Sequence, residues 1–495
     1  MRARRSADRS DRPAMSADTP LWTLTATELV KAYSARTATP SEAVESVIAR
    51  HDAVNPHLNA VVTLDRDGAR TAATDSTARW RDGAPKSALD GVPITIKDNI
   101  HVAGLRTSWG SRLYADHVPT QDETPVARLR DAGAIILGKT NVPEFTVHGI
   151  TDNTLFGPTR NPWNPALTPG GSSGGAVAAV AAGIGPLALC TDGGGSIRRP
   201  AGHTGLIGFK PSRGLVPRAH GLPAILNDFE VAGPIGRSLD DVSTMLGILA
   251  DDRSIVPETT SETLRIAYIP TFADAPVDPQ IARSVAVATE IFTAQGHRVV
   301  RLDNFVLAEP IGKIWPILSE TGVAWLMDQH PGRDGEVSSA IAAMAERGRT
   351  HTARDYLAML QTIAAVELEF TALFARFDVL LLPTTAAQPW PIGISHPEMI
   401  DGRPVGPRGH AVFTPFANAL GLPAISVPGQ PGDDGLPIGI QLCGARNADK
   451  LVLRAASIAT GDVGELLPFA GARFQNIENN PMQSSRRPSV SDRTF

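Results

Sequence analysis

Residues 170–198 read Gly-Gly-Ser-Ser-Gly-Gly-Ala-Val-Ala-Ala-Val-Ala-Ala-Gly-Ile-Gly-Pro-Leu-Ala-Leu-Cys-Thr-Asp-Gly-Gly-Gly-Ser-Ile-Arg. The uncharged run of small residues at 174–182 predicts a closely packed, buried helix. Gly183, Gly185 and Pro186 break it, and 187–191 predicts a short apolar strand. Working outward, the same alternation recurs. Val92, Ile94 and Ile96 alternate with Pro93, Thr95 and Lys97 at the period of a strand. Thr124-Pro125 opens a helix ending near Gly133, and Ala134-Ile135-Ile136-Leu137 reads as a buried strand. Strand signals return at 379–382 and 437–442. Nearer the N-terminus, Thr25-Ala26-Thr27-Glu28 and Thr39-Pro40-Ser41-Glu42 have capping-box spacing, and Val44, Val47 and Ile48 share one helical face before a stop at Asn55-Pro56. With no Gly/Ser linker and no repeat, the pattern predicts an α/β fold: a single large domain over 21–475, its central sheet covered by helices on both faces.

The composition sets the limits. In 495 residues, 42% hydrophobic and 20% charged, there is material for a large core. The charges nearly balance, 46 Lys+Arg against 51 Asp+Glu, which argues against a nucleic-acid surface. Two cysteines, Cys190 and Cys443, rule out a disulfide framework or a cysteine metal site. The longest uncharged small-residue stretch, 176–190, is too short and too broken to span a membrane. Arg2, Arg4, Arg5, Arg9 and Arg12 precede no apolar run, so 1–20 reads as a disordered leader, with Met15 as a second candidate start. The polar stretch 476–495 reads as a loose tail. A cytoplasmic protein is expected.

Four strings carry candidate chemistry. Gly133-Ala134-Ile135-Ile136-Leu137-Gly138-Lys139-Thr140 matches a phosphate loop formally, but its intervening residues are the strand itself and Pro143 falls where a helix would start; it reads as structure. Gly170-Gly171-Ser172-Ser173-Gly174 matches a nucleophile elbow, with His203, His220 and His410 as candidate bases, yet a proline-studded loop leads into it rather than a strand. Lys97 closes the apolar strand Val92-Pro93-Ile94-Thr95-Ile96, where burial favours a neutral amine fit for general-base work. A strand-end lysine reaching solvent, or paired with Asp98, fits the same residues. In Asp192-Gly193-Gly194-Gly195-Ser196-Ile197-Arg198, three glycines let backbone N–H groups converge on one point, as an oxyanion requires. A tight turn clamped by Asp192 and Arg198 fits them as well.

Lys97, Ser172 and Ser196 lie 75 and then 24 positions apart. With Gly138-Lys139-Thr140-Asn141-Val142-Pro143-Glu144-Phe145, Thr159-Arg160-Asn161-Pro162-Trp163-Asn164, Gly205-Leu206-Ile207-Gly208-Phe209-Lys210-Pro211 and Gly421-Leu422-Pro423-Ala424-Ile425-Ser426-Val427-Pro428, that order resembles the amidase signature family of Ser–cis-Ser–Lys hydrolases. The resemblance runs over 24–474, densest at 91–236 and thinnest at 259–377.

It implies a mixed central sheet and an acyl-transfer amidase needing neither metal nor cofactor. Ser196 would be the nucleophile and Ser172, on a cis peptide bond, the proton shuttle to Lys97. The N–H groups of Gly193, Gly194, Gly195 and Ser196 would form the oxyanion hole, with Asp192, Arg198 and Ser173 as structural support. Cys190 reads as an inert packed thiol. The substrate would be a small to medium amide, with anilides, carbamates and esters within reach. The expected partner is that small molecule, neither nucleic acid nor membrane, with a homodimer possible. The family also holds the glutamine-using component of the tRNA-dependent amidotransferase. Arg199, where that component has Gln, and Asp228-Phe229-Glu230-Val231, in place of Ser-Leu-Asp-Gln, depart from it. The poorly matched segments 217–223, 311–325 and 410–416 are the candidate pocket walls; their Trp315, Trp325 and Phe413 fit an aromatic pocket, and fit a place in the core at least as well.

Overall fold

The computed structural model describes residues 19–258 and 260–461. The expected leader up to residue 18, the end of the expected domain at 462–475 and the tail at 476–495 lie outside the described residues.

Thirteen strands occur among them: β1 Val61–Leu64, β2 Pro93–Lys97, β3 Ile135–Thr140, β4 Leu187–Asp192, β5 Ile207–Lys210, β6 Val231–Gly236, β7 Arg265–Tyr268, β8 Arg298–Arg301, β9 Val379–Pro383, β10 Met399–Ile400, β11 Arg403–Pro404, β12 Ala424–Pro428 and β13 Gly439–Gly444. Eleven form one sheet in the order β1-β3-β2-β4-β6-β5-β12-β13-β9-β7-β8, while β10 and β11 make a separate hairpin. The sheet is mixed: β3-β2-β4 run parallel, β9-β7-β8 run parallel, and the remaining pairings are antiparallel.

Both faces are covered, as the uninterrupted apolar strands require. Along β9, Val379 and Leu381 face a core shared with the helices Leu239–Ala250, Pro279–Ala294 and Asp449–Ala459. Leu380 and Leu382 face a second core shared with Glu309–Asp328 and Ala353–Phe374. The small-residue helix forms over Gly174–Ala182 and is buried along its whole length. Its small side chains are a packing requirement. A Cβ on Gly175 would sit 2.3 Å from the Asn141 amide nitrogen and 2.6 Å from the Ala60 carbonyl oxygen.

Both capping boxes form, at Thr25/Glu28 and Thr39/Glu42. Asn55-Pro56 does not stop the second helix, which runs Pro40–Leu58 and ends on Asn59 in the left-handed conformation. A proline near a helix C-terminus removes one N–H donor but leaves the last turn intact. Among the described residues one helix, Ala353–Phe374, is long and apolar enough to cross a membrane by length and composition, although no uncharged run in the sequence announces it. Its Met359, Ile363, Val366, Phe370 and Leu373 are buried in the second core, whereas Leu357 and Leu368 are exposed.

The tight seat of Gly175 gives a direct test. Gly175→Ala is expected to lower stability by about 1–3 kcal/mol, since rigid backbone surrounds the added methyl. Gly312→Ala, in the helix Glu309–Asp328 with open space around its Cβ, is expected to be neutral or to stabilise by up to about 1 kcal/mol. Thermal unfolding midpoints of the two variants should move in opposite directions or differ by several degrees.

Candidate active site

The parallel arrangement of β2 and β4 places Lys97 and the turn after Asp192 at the same edge of the sheet, beyond the carboxyl ends of the strands. Such ends are where α/β sheets bind their ligands. Lys97 has no exposed surface. Its Nζ lies 2.8 Å from Ser172 Oγ, 3.0 Å from the Thr191 carbonyl oxygen and 2.9 Å from Thr191 Oγ1. Asn99 Nδ2 donates to the same Thr191 hydroxyl at 2.9 Å. The lysine therefore neither reaches solvent nor pairs with its neighbour. Asp98 is engaged instead by Lys139, 3.0 Å away, and by the Ser108 amide and hydroxyl.

Burial, more than any nearby charge, pulls the Lys97 amine down to about 8. Three partners suit both protonation states. An ammonium donates three N–H bonds, whereas the neutral amine donates two and presents its lone pair to a hydroxyl. The structure thus holds an amine that can take a proton from Ser172.

Ser172 follows a cis peptide bond with Gly171. Ser173 links the two serine-bearing segments: its amide donates to the Ser196 carbonyl at 3.3 Å and its hydroxyl to the Thr191 carbonyl at 3.4 Å. A loop, not a strand, precedes Ser172, and its hydroxyl contacts an amine rather than an imidazole, which removes the elbow reading. His203 bonds the Ala387 carbonyl, His220 lies exposed on a loop, and His410 packs on Trp390.

Ser196 faces a cavity of about 1120 Å³. The turn that carries it is held from behind by a fully buried ion pair, Asp192 Oδ1 to Arg198 at 2.9 Å. Burial alone would raise the Asp192 carboxyl, yet Arg198 and its other donors hold it well below the usual carboxylate range. Those donors include the Gly195 and Ile197 amides, 2.6 and 3.1 Å away, and Asn418. Arg198 in turn reaches Gln441 at 2.7 Å and Asn418 at 2.6 Å. This corrects the expected oxyanion set. The Gly195 N–H is spent on Asp192, while the Gly193, Gly194 and Ser196 N–H groups donate to no described residue.

Other expectations sort cleanly. Trp315 lines the cavity, and a Cβ on Gly194 would meet its ring at 2.8 Å. Trp325 is 49% exposed and Phe413 is buried in the core, so neither forms a wall. His410, Ala411 and Val412 do, but 217–223 lines a separate cleft of about 740 Å³ beside Glu123 and Glu230. Cys190 is buried, its thiol pushed up to about 12 by desolvation. Lys139, the phosphate-loop lysine of the formal motif, is buried in β3 against Asp98. Thr191, Asn99, Asn418 and Gln441 escape sequence reasoning. Only Asn99 and Thr191, as neighbours of Lys97 and Asp192, carry a positional hint.

Comparison with known proteins agrees with this geometry. A family model described as Amidase matches residues 42–453. An acylamidase of Rhodococcus erythropolis is 35% identical over 452 residues, covering 88% of this chain and 94% of the relative. A glutamyl-tRNA(Gln) amidotransferase component from Agathobacter rectalis is 31% identical, covering 88% of this chain and 93% of the relative. A solved bacterial aryl acylamidase of the amidase signature family superposes with a TM-score of 0.82 at 28% identity, covering 95% of this chain and all of that one. With its family model matched over most of the chain, its fold shared and its polar cluster at the sheet edge, this chain belongs to the amidase signature family, enzymes that hydrolyse amide C–N bonds.

Proposed function

We propose that the chain is a stand-alone hydrolase of small to medium amides that works through an acyl-enzyme on Ser196. The observation that supports this reading most is the buried Lys97 amine, 2.8 Å from the Ser172 hydroxyl, beside a turn with three N–H groups that donate to no described residue.

In this mechanism Ser196 Oγ attacks the amide carbon. Its proton passes to Ser172 Oγ, whose own proton passes to neutral Lys97. The oxyanion of the tetrahedral intermediate lies against the Gly193, Gly194 and Ser196 N–H groups, charge-assisted bonds made only as charge develops. Ser172 then protonates the leaving nitrogen and is reprotonated from Lys97, and the acyl group stays on Ser196. Water, deprotonated through the same relay, releases the acid. Thr191 and Asn99 orient the lysine, and Asp192 with Arg198 holds the turn in shape. Val147, Ile150, Leu226, Trp315 and Met344 give the cavity a wide apolar wall. That lining suits the hydrocarbon part of an anilide, aliphatic amide, carbamate or ester, whereas glutamine has little apolar surface to set against it. The amidotransferase reading draws on the relatives of that name, and ammonia released from glutamine only with partner proteins would favour it.

Lys97→Ala and Ser196→Ala are each expected to lower kcat/KM on any turned-over amide by on the order of 10³-fold or more. Cys190→Ala should leave it within about threefold, since an inert thiol has no step to perform. The lysine acts as a neutral base and is protonated below about 8. Hence kcat/KM should rise with pH, tenfold per unit, and level off above about 8. Initial rates across pH on one good substrate check the profile; a flat profile down to pH 6 contradicts the assignment of Lys97. Breaking the turn clamp with Asp192→Asn leaves the Arg198 charge buried without its partner. A stability loss of about 3–5 kcal/mol is expected, read by thermal unfolding.

A further inference from the structure

Two arginines line the same cavity as Ser196 without a carboxylate partner among the described residues. Arg199 follows Arg198 directly but faces the other way: Arg198 goes to Asp192, while Arg199 lines the cavity. Arg199 is 7% exposed, and its buried Nε has no hydrogen-bond partner. That Nε lies only 3.0 Å from where a Cβ on Gly195 would stand, one residue before Ser196. The guanidinium of Arg408, on the cavity wall, lies 5.3 Å from the centroid of the Trp315 ring and makes no ion pair among the described residues. His410 sits with them, 4% exposed, with neither ring nitrogen hydrogen-bonded. Arg199 adds to the burial that lowers both Arg408 and His410, so the three groups share one electrostatic environment.

Two of the three acids that line the cavity are committed elsewhere. Glu144 accepts from the Ser111 hydroxyl and the Ser338 amide, and Glu320 pairs with Arg347 and His351. Asp152 forms no ion pair among the described residues, and burial raises its carboxyl toward the neutral form. Asp192, the carboxylate nearest Arg199 in sequence, is already filled by Arg198, Asn418 and backbone amides. A desolvated guanidinium without a counter-charge is costly, and its planar fork suits a carboxylate. The cost is recovered when a ligand brings the anion.

We propose that the substrate carries a carboxylate close to the scissile amide, bound by Arg199 with Arg408 beside it. This deepens the assignment of Ser196 and rests on it. The apolar wall around Trp315 then takes the uncharged remainder of the substrate, and the arginine pair discriminates against neutral analogues. Such discrimination is steep, because a neutral group of the same size would leave the buried donors unanswered.

Two matched substrate pairs test this and tell the acyl side from the amine side. On the acyl side, succinyl 4-nitroanilide is compared with its carboxamide isostere, succinamoyl 4-nitroanilide. On the amine side, N-butyryl-4-aminobenzoate is compared with N-butyryl-4-aminobenzamide. Wild type should favour the carboxylate in one pair by roughly 30-fold in kcat/KM. Arg199→Met should reduce that preference to about threefold or less, with the larger loss on the carboxylate member and chiefly through KM. Arg199→Lys should retain part of the preference, and Arg408→Met should weaken it less than Arg199→Met does. Equal kcat/KM within both pairs, turnover of neither pair, or an equal loss on both members in Arg199→Met overturns the proposal. Ser196→Ala with activity intact would instead overturn the assignment beneath it.

Discussion

The amine of Lys97, fully withdrawn from water at the carboxyl end of β2, is the constraint around which this site is organised. A buried ammonium without a counter-ion is disfavoured by several kcal/mol, and the protein answers by lowering the proton affinity of the group. The surrounding elements accommodate that choice. The nearest acid in sequence, Asp98, is turned away to Lys139, so it cannot restore the charge on Lys97. Thr191 and Asn99 supply neutral hydrogen bonds that hold the amine in place. What remains at the third corner is the Ser172 hydroxyl, the group through which the proposed mechanism passes its proton.

A second buried charge pair does the opposite work. Asp192 and Arg198 are both fully buried, and the Asp192 carboxyl is held ionised by Arg198 and its other donors, in a closed network reaching Asn418, Gln441 and the Thr414 carbonyl. The pair fixes the backbone of the glycine turn and consumes the Gly195 N–H, so that the neighbouring N–H groups are left for the developing oxyanion of the proposed mechanism. The site therefore combines a buried amine of lowered proton affinity, which the proposed mechanism uses for proton transfer, with a buried ion pair that fixes the turn, the two meeting where the neighbouring strands β2 and β4 end.

Much of this is legible in the residues. Period-two alternation around Ile94 and Ile96, the small-residue helix before β4 and both capping boxes are local signals, and the structure keeps them within a residue or two. The order of Lys97, Ser172 and Ser196 identifies the family because the motif strings around them are long and specific. Contacts that depend on the fold are out of reach. Asn418 and Gln441 meet Arg198 across 220 and 243 residues of chain, with no local pattern to announce them. The loss of the Gly195 N–H to Asp192 follows from the detailed turn geometry, which three consecutive glycines leave open. The segment 217–223, expected as a wall of the reactive cavity, borders another cleft, because weak resemblance says where a chain varies and not which cleft it lines.

The central claim, that Ser196 is the nucleophile activated through Ser172 by Lys97, is tested most directly by labelling with a fluorophosphonate probe and mapping the modified peptide. The account predicts a single adduct on Ser196 in the wild type and none in the folded Lys97→Ala variant. An adduct on Ser172, or undiminished labelling of Ser196 after loss of the Lys97 amine, would contradict it.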